Sequence, residues 1–312
     1  MKAVRFHEYG DSGVLRYEEV ERPVPGPGQV LVRVAATSFN PVDTAIRAGF
    51  LRQAMPITLP HVPGLDLAGT VAEAGPEVSG WNPGEQVVAH LPLTVPGAAA
   101  EYALAPAELL AAAPKTVDLA VAAALSTAGL TAWQALFRDA GLASGRSVLV
   151  VGAGGAVGGY AVQLARQAGA EVTATASPRS AERVRRYGAA HVIDHTETPV
   201  AEAAAGRRFD VVLNLVPTTK EEITRLAGLV AADGILVSAT PPALADIALD
   251  VRTAQTYVQS DAADLAALVA RVDSGDLHIH VANRRPLAEL PQVHALADEG
   301  RLYGKTVIVP EP

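Results

Sequence analysis

The amino-acid sequence predicts an α/β protein of two parts, an antiparallel β-barrel-like domain and a doubly wound parallel-sheet domain. The chain has 312 residues, a length that suggests about two domains. Its first third alternates short apolar runs with turns rich in proline and glycine, as the strands of a compact antiparallel sheet do. Its middle alternates strand-like and helix-like segments around a glycine-rich turn, which is typical of a parallel sheet covered by helices.

The composition excludes several classes of function. The formal net charge of −8 argues against a general surface for nucleic acid or anionic membranes. The chain has no cysteine, which excludes disulfides, thiolate zinc sites and a cysteine nucleophile. The N-terminal residues lack the apolar core of a signal peptide and no apolar run reaches membrane-spanning length, so we expect a cytoplasmic protein.

In the first third, the apolar runs predict strands at residues 3–6, 30–36, 68–72, 86–89 and 100–105. The turns between them contain motifs such as Asn82-Pro83-Gly84, and proline and glycine punctuate strands in this way. After Pro114 the character changes, and helices are predicted over 118–124 and 128–140.

In the rest of the chain, strand-like and helix-like segments alternate. Further strands are predicted at 171–176, 191–193, 210–213 and 235–238, with helices over 180–187 and 221–230 between them. Two more helices and a final strand at 306–309 follow residue 261, and we expect them to rejoin the first domain. The predicted domains are therefore 1–117 with 261–312, and 118–260.

A glycine-rich turn lies between the apolar strand at 148–151 and a helix that ends at Gly169. Glycines at such a turn let the backbone approach a pyrophosphate, whose charge is held by free N–H groups at the helix N-terminus. The alternative is a tight turn that needs glycine only for its geometry. The predicted dinucleotide-binding residues of this turn are Gly152, Gly154, Gly155, Ala156, Val157 and Gly158.

The residues after the second strand of this domain favour NADPH over NADH. A fold that binds NAD usually has an acidic residue there, which accepts hydrogen bonds from the ribose hydroxyls. This chain has Ser177 and Arg179 instead, followed by Arg183, and these side chains suit a 2′-phosphate. The alternative for Arg183, Arg185 and Arg186 is a solvated helix face.

Five segments, in order along nearly the whole chain, carry a resemblance to a known family. They are Ser38-Phe39-Asn40-Pro41-Val42-Asp43, Pro63-Gly64-Leu65-Asp66-Leu67-Ala68-Gly69, Thr127-Ala128-Gly129-Leu130-Thr131-Ala132, the glycine turn, and Gly304-Lys305-Thr306-Val307. The chain resembles the zinc-independent, zeta-crystallin-like quinone oxidoreductases of the medium-chain dehydrogenase/reductase superfamily. The resemblance implies a GroES-like substrate domain built from both chain ends, a Rossmann domain, NADPH in a cleft, and a homodimer.

The resemblance also bears on the chemistry. In zinc-dependent relatives a cysteine and a histidine of the first domain bind the metal, whereas the matching neighbourhoods here carry Asn40 and Leu65-Asp66. We therefore expect no catalytic zinc. A substrate that is already electrophilic through conjugation, a quinone or an α,β-unsaturated carbonyl compound, then needs only hydride, a hydrogen-bond donor and a proton.

Candidate catalytic residues follow from matching positions. Asn40 is predicted to donate to the developing oxyanion, and Asp43 to orient the nicotinamide. The alternatives are a turn at Asn40-Pro41 and a plain ion pair between Asp43 and Arg47, one helical turn apart. Some relatives have a tyrosine where this chain has Ala45, which leaves the proton donor open.

The remaining cofactor positions also come from the resemblance. Thr127 and Thr131 match positions beside the nicotinamide, with helix packing as the alternative, and His195 matches a position at the adenosine end, with a solvated loop as the alternative. Residues that follow the fourth, fifth and sixth strands are expected at the carboxyl edge of the sheet, where such sheets bind ligands. They are Leu215, Val216, Ser238, Ala239, Thr240, Tyr257 and Val258.

Two other features give weaker functional signals. His278 and His280 have no third ligand near in sequence. His61 and His90, in proline-containing loops, are expected at the surface, with a position facing the substrate as the alternative. The leading hypothesis is an NADPH-dependent, zinc-free reductase of quinones or enones. An enoyl reductase acting on a thioester or polyketide-like intermediate is a second hypothesis, and an NADPH-binding redox sensor or RNA-binding module with little turnover is a third.

Overall fold

The structure, a computed structural model, describes residues 1–311. The strands are β1 (Lys2–Phe6), β2 (Leu15–Glu19), β3 (Gln29–Ser38), β4 (Asp66–Ala74), β5 (Gln86–His90), β6 (Tyr102–Pro106), β7 (Ala111–Ala112), β8 (Ser147–Val151), β9 (Glu171–Ala176), β10 (His191–Asp194), β11 (Phe209–Asn214), β12 (Val230–Ser238), β13 (Arg252–Gln255), β14 (Asn283–Pro286) and β15 (Thr306–Val309). The α-helices are α1 (Pro41–Arg47), α2 (Leu119–Ala122), α3 (Ser126–Trp133), α4 (Ala156–Gln167), α5 (Pro178–Arg186), α6 (Val200–Ala203), α7 (Lys220–Ala227), α8 (Ala262–Asp273) and α9 (Leu290–Asp298). Within this part of the chain, no helix has the length and apolar character needed to cross a bilayer.

The chain divides into two compact units. Unit 1 contains residues 1–127 and the chain from 259 onward, and unit 2 contains residues 128–258. The sequence predicts these boundaries at 117/118 and 260/261 instead. The start of α3 is tied to unit 1, since the backbone N–H of Thr127 donates to the Asp66 carboxylate at 2.6 Å.

Unit 1 is built on a mainly antiparallel sheet in the order β14-β15-β3-β4-β5-β7, with β6 paired to β3. The last strand, β15, pairs antiparallel with β3, and β14 pairs parallel with β15. The segment from residue 259 onward therefore belongs to unit 1, together with the first part of the chain. Two buried apolar clusters support the sheet, one around Val32 and Leu67 and the other around Phe6 and Ile308.

Unit 2 contains six parallel strands in the order β10-β9-β8-β11-β12-β13. The chain runs outward from β8 in both directions, so the strand order reverses between β8 and β11. Its core includes Leu149, Val212 and Leu236, none of which is exposed, as apolar residues of buried parallel strands should be. The predicted doubly wound parallel sheet is confirmed, and the reversal of strand order marks the place where such sheets bind ligands.

The structure differs from the predicted segments in a few places. Val230, predicted at the end of a helix, begins β12 because it pairs with Phe209 of β11, and α7 ends earlier, at Ala227. The predicted helix over 128–140 begins two residues earlier, as α3, and continues as a π-helix over Gln134–Asp139. The sixth strand of this domain, expected before Tyr257 without stated bounds, is β13, and the short edge strand β14 is not predicted, because four residues give too little pattern to recognise.

Candidate functional site

The glycine turn of unit 2 joins β8 to α4 at the switch in strand order. Gly152 has a φ of +91°, a conformation that favours glycine, and its N–H donates to the Thr175 hydroxyl at 2.9 Å. A Cβ added at Gly158 would lie 2.3 Å from the Gly152 carbonyl oxygen and 2.5 Å from the Ala153 Cα. Glycine at 158 therefore lets the helix pass directly over the end of its strand.

The turn fits a pyrophosphate. The backbone N–H groups of the first turn of α4, which includes Ala156 and Val157, have no helical acceptors. The N-cap residue, Gly155, provides no side-chain hydrogen bond to them. A Cβ on Gly154 would lie 2.5 Å from the Ser180 hydroxyl oxygen, so the absence of a side chain there keeps the turn tight against α5. The dipole of a twelve-residue helix adds a preference for anions at this end.

A pocket of about 400 Å³ lies beside this turn within unit 2. Gly152, His195 and Val216, all predicted cofactor residues, line it together with Thr175 and Leu226. Its volume falls in the range of small-molecule sites, and its walls are mainly apolar with a few polar groups. The pocket therefore suits the planar, largely apolar face of a nucleotide base.

The arginines after β9 have different surroundings. The Arg183 guanidinium donates to the Gly154 carbonyl oxygen at 2.7 Å, so it supports the turn directly. Ser177 is the N-cap of α5 and is half-buried, and Arg179 follows in the exposed first turn. Arg185 and Arg186 lie on the exposed face of the helix, and Arg186 pairs with Glu182 at 3.6 Å.

Asn214, at the end of β11, is not among the predicted residues but organises several of them. Its amide nitrogen lies 2.9 Å from the Val216 carbonyl oxygen and 3.2 Å from each of the Ser238 and Thr240 hydroxyl oxygens, so three acceptors share its two hydrogens. It is fully buried, and its Oδ1 has no hydrogen-bond partner. The carboxyl ends of β11 and β12 are thereby tied together, and the sequence signal for this role is a lone asparagine closing an apolar strand.

Four other predicted cofactor residues of unit 2 lie at or near this edge, and a fifth, Thr131, belongs to a helix. Leu215 and Ala239 directly follow β11 and β12 and are half-buried. Tyr257 is 69% exposed and Val258 is half-buried, just beyond β13. Thr131 is buried within α3.

The most highly connected polar group of unit 1 is the carboxylate of Asp66, which is completely buried. Its Oδ1 accepts from the Thr127 N–H at 2.6 Å, and its Oδ2 accepts from the Asn40 amide at 2.8 Å and the Lys305 ammonium at 3.0 Å. The Ser38 hydroxyl also donates to Oδ2. We name Ser38, Asn40, Asp66, Thr127 and Lys305 the Asp66 cluster.

The charge state of Asp66 follows from these contacts. Burial alone would raise the pKa of its carboxyl, but Lys305 and the hydrogen bonds from Ser38, Asn40 and Thr127 hold that pKa below its ordinary value. The cluster therefore contains an ionised carboxylate neutralised by an ammonium group.

Asn40, a predicted catalytic residue, is buried in this cluster and uses both ends of its amide. Its Nδ2 donates to Asp66 at 2.8 Å and to the Ser38 carbonyl oxygen at 3.2 Å, while its Oδ1 accepts from Lys305 at 2.6 Å. An amide nitrogen has two hydrogens. Donation to a substrate oxyanion therefore requires Asn40 to exchange one of these two bonds.

Asp43, the second predicted catalytic residue, is buried at the start of α1. It accepts from the backbone N–H of Asn40 at 2.8 Å and from that of Gly64 at 3.3 Å. Burial raises the pKa of Asp43 to about 7, and the nearby Asp66 charge adds to the increase. The alternative ion pair with Arg47 is wrong, because Arg47 donates to both oxygens of Asp298 at 2.9 Å.

The expectation that His61 and His90 lie at the surface is also wrong, since they are 3% and 1% exposed. His90 lies directly opposite Asp66 in the β4–β5 pair, and its Nδ1 is 2.9 Å from the Thr127 hydroxyl oxygen. Burial lowers the pKa of His90, which favours a neutral imidazole. Thr127 is therefore held at two points, by Asp66 through its backbone and by His90 through its side chain.

The residues of unit 1 do not fit a metal. Residues 1–311 contain no group of three or more histidine, cysteine or acidic side chains that could hold an ion, and His278 and His280 are exposed without such a group. The single carboxylate of the Asp66 cluster is already neutralised by Lys305 at 3.0 Å. A divalent ion at this carboxylate would meet a fixed positive charge.

Two family models match the chain, one described as alcohol dehydrogenase GroES-like domain over residues 26–115 and one as zinc-binding dehydrogenase over residues 187–308. A chloroplast envelope quinone oxidoreductase homolog from Arabidopsis thaliana is 34% identical, over 99% of this chain and 98% of the relative. A 2-methylene-furan-3-one reductase from Solanum lycopersicum is 32% identical, over 100% of this chain and 80% of the relative.

Solved structures agree with the relatives. The quinone oxidoreductase from Coxiella burnetii superimposes with a TM-score of 0.89 at 30% identity, over 99% of each chain. A mycobacterial protein solved in complex with NADPH gives a TM-score of 0.85 at 29% identity, over 99% of this chain and 100% of the other. The chain therefore belongs to the medium-chain dehydrogenase/reductase superfamily, among the homologues of the quinone oxidoreductases.

Proposed function

We propose that this oxidoreductase uses NADPH to reduce a quinone or an α,β-unsaturated carbonyl compound. The observation that carries the proposal is the Asp66 cluster, whose charge is balanced by Lys305 and whose residues do not fit a metal. The names of the relatives support the same substrate class: the Coxiella protein is a quinone oxidoreductase, the Arabidopsis protein is a homolog of one, and the tomato protein is a reductase of an exocyclic enone.

The residues of unit 2 fit a nicotinamide dinucleotide. The N–H groups at the start of α4 would hold its pyrophosphate, and the pocket beside Gly152, His195 and Val216 would take its adenosine. Ser177 and Arg179 would receive the 2′-phosphate, since residues 177–179, which directly follow β9, include no acidic side chain to repel it. The NADPH complex of the mycobacterial protein supports this choice of cofactor.

The bound cofactor would supply a hydride, and the protein must then stabilise a phenolate or an enolate. A saturated ketone needs a strong electrophile on its oxygen before it accepts hydride, whereas conjugation lowers this requirement. Unit 1 offers hydrogen-bond donors in Asn40 and Thr127 at the ionised Asp66. In the overall reaction, one hydride from NADPH and one proton from water convert a quinone to a hydroquinone or saturate the carbon–carbon double bond of an enone.

The test is NADPH oxidation with a matched set of acceptors. We expect turnover with benzoquinone and cyclohexenone and none with cyclohexanone, which has the same ring and carbonyl group without the conjugated double bond. Binding of NADPH without oxidation by any quinone or enone would contradict the proposal. Reduction of cyclohexanone at a comparable rate would contradict the proposed substrate class.

The cofactor choice has its own test. Loss of a charge-assisted hydrogen bond costs about 1.5–3 kcal/mol, so Arg179→Ala should weaken NADPH binding about tenfold or more. NADH lacks the 2′-phosphate, so its dissociation constant should stay within about twofold of the wild-type value. A change of this size is what loss of an exposed charge produces. Equal weakening of both cofactors would contradict the role of Arg179.

A further inference from the structure

We propose that Lys305 is the resident cation of the Asp66 cluster, a positioning residue whose ammonium group holds Asn40 and Asp66, and through Asp66 holds Thr127, in the arrangement that the reductase reaction uses. The kinetic part of this inference rests on the proposed function. Lys305 does not belong to the predicted catalytic or cofactor residues.

The environment of the ammonium group resembles that of a bound cation. Lys305 is only 4% exposed. Its Nζ donates to the Asn40 Oδ1 at 2.6 Å, the Asp66 Oδ2 at 3.0 Å and the Phe39 carbonyl oxygen at 3.3 Å. An ammonium group has three hydrogens, so the three oxygens match its full donor capacity.

The fold brings Lys305 to this position through the last strand. Val307 of β15 pairs with Ser38 of β3, and the Thr306 carbonyl oxygen accepts from the Phe39 N–H at 3.0 Å. Lys305 therefore lies beside the junction of β3 with α1, where Asn40 begins the helix. It meets a carboxylate that is 239 residues away in sequence.

Removal of the ammonium group would change the acceptor that organises the cluster. A buried carboxylate without a counter-charge takes up a proton rather than remain ionised. Protonated Asp66 would replace an acceptor by a donor, in conflict with the Ser38, Asn40 and Thr127 groups that now donate to it. Asn40 would also lose the partner of its Oδ1, and its amide would be free to turn.

Other titratable groups near Asp66 do not replace Lys305. His90 lies opposite Asp66, and burial lowers the pKa of its imidazole, so it remains neutral. Asp43, when ionised, has the same sign of charge as Asp66 and repels the Asp66 carboxylate. Among the groups within residues 1–311 that act on Asp66, Lys305 alone supplies a positive charge at hydrogen-bond distance.

The first experiment follows the Asp66 carboxyl by carbon NMR as the pH changes, and it needs no activity. In Lys305→Met we expect its titration to move upward by more than about one pH unit relative to the wild type. Lys2→Met is the matched control, because Lys2 pairs with Glu19 at 3.6 Å on the exposed surface of the same unit. An unchanged Asp66 titration in Lys305→Met would overturn the inference.

The second experiment separates positioning from folding. Lys305→Met should lower kcat for quinone at least tenfold and leave NADPH affinity within twofold, because the glycine turn lies in unit 2. The double variant Lys305→Met with Asp66→Asn removes the buried charge, so we expect its stability to return towards that of the wild type while kcat stays low. Recovery of the wild-type kcat in the double variant would show a purely structural pair and overturn the positioning role.

Chemical rescue provides the third measurement. Lys305→Ala leaves space for the missing atoms, and propylammonium can return both the charge and the N–H donors. We expect propylammonium to restore part of kcat and tetramethylammonium, which has no N–H group, to restore none. Equal rescue by both ions would contradict a role for the three hydrogen bonds. Absence of any turnover by the wild type would contradict the proposed function, while the carboxyl titration would still decide whether Lys305 sets the charge of Asp66.

Discussion

The guanidinium group of Arg183 donates to the carbonyl oxygen of Gly154 at 2.7 Å, so a side chain of α5 supports the glycine turn that follows β8. The glycine turn lies before β9 in the chain and α5 follows β9, so this hydrogen bond links the segments on either side of that strand. Arg183 therefore acts on the shape of the turn, whereas we propose that Arg179, in the exposed first turn of α5, binds the 2′-phosphate.

Arg183→Leu should weaken NADPH and NADH binding by the same factor, about tenfold, because both cofactors carry the pyrophosphate and one charge-assisted hydrogen bond is lost. Isothermal titration with each cofactor measures the two factors. Arg179→Ala is the matched comparison, with an effect confined to NADPH. A selective loss of NADPH binding in Arg183→Leu would instead assign this arginine to the 2′-phosphate.

Gly158→Ala should disrupt the turn, because the added Cβ would lie 2.3 Å from the Gly152 carbonyl oxygen. We expect a loss of about 2 kcal/mol or more in the free energy of unfolding in urea, with loss of cofactor binding. Gly155→Ala is the control, since its Cβ would have no neighbour closer than 3.4 Å and its backbone is extended. A loss of stability in Gly155→Ala equal to that in Gly158→Ala would contradict the steric explanation.

Asp43 should make stability fall as the pH rises. Burial raises its pKa from the ordinary 3.8 to about 7, so the folded state binds its proton more tightly than the unfolded state. The stabilisation is complete below about pH 4 and is lost as the pH rises through about 7, which amounts to up to about 4 kcal/mol. The wild type should lose stability relative to Asp43→Asn across this range in urea unfolding.

The control for that series is Asp233→Asn, an exposed aspartate in unit 2. Its stability curve should run parallel to that of the wild type. Parallel curves for Asp43→Asn as well would show that Asp43 ionises in the fold as readily as in the unfolded chain.

His61 should act in the opposite direction. Its ring packs edge-on against Phe6 with centroids 5.5 Å apart, and burial lowers the pKa of His61 from 6.5 to about 4. Below pH 6.5 the unfolded state takes up the proton first, so stability is lost as the pH falls from 6.5 to 4, by up to about 3 kcal/mol.

His61→Phe keeps an aromatic ring and removes the titration, so the loss of stability in this acid range should become smaller. Thermal unfolding at a series of pH values measures the difference. Part of the acid sensitivity should remain, because burial also lowers the pKa of His294, to about 3. An unchanged acid dependence in His61→Phe would refute the role of His61.

Local patterns in the sequence predict much of the fold. The strand at 171–176 and the last strand at 306–309 have the predicted bounds, because both combine β-branched residues with clear turn signals. The glycine turn is also predictable, since its glycines, strand and helix lie within one short segment. Val230 is misassigned because its strand partner, Phe209, is not adjacent in sequence.

The candidate site depends on contacts that local patterns do not contain. Asp66 and Lys305 both lie in recognised motifs, yet nothing in either motif indicates that their side chains meet. The sequence predicts a loop at His90 because proline follows closely. Its observed position opposite Asp66 results from the register of the two strands. Arg47 likewise pairs with Asp298 from the end of the chain rather than with its neighbour Asp43.

The pairing of β15 with β3 sets the order in which the two units can be completed during synthesis. Unit 2 comes from one continuous stretch, so all its strands exist before the ribosome reaches Lys305. At about 5–20 residues per second, the 239 residues between Asp66 and Lys305 take on the order of tens of seconds to translate. Throughout that interval the nascent chain holds Asp66 without its cation, so the polar centre of unit 1 is assembled last, after the nucleotide-binding sheet has had time to fold.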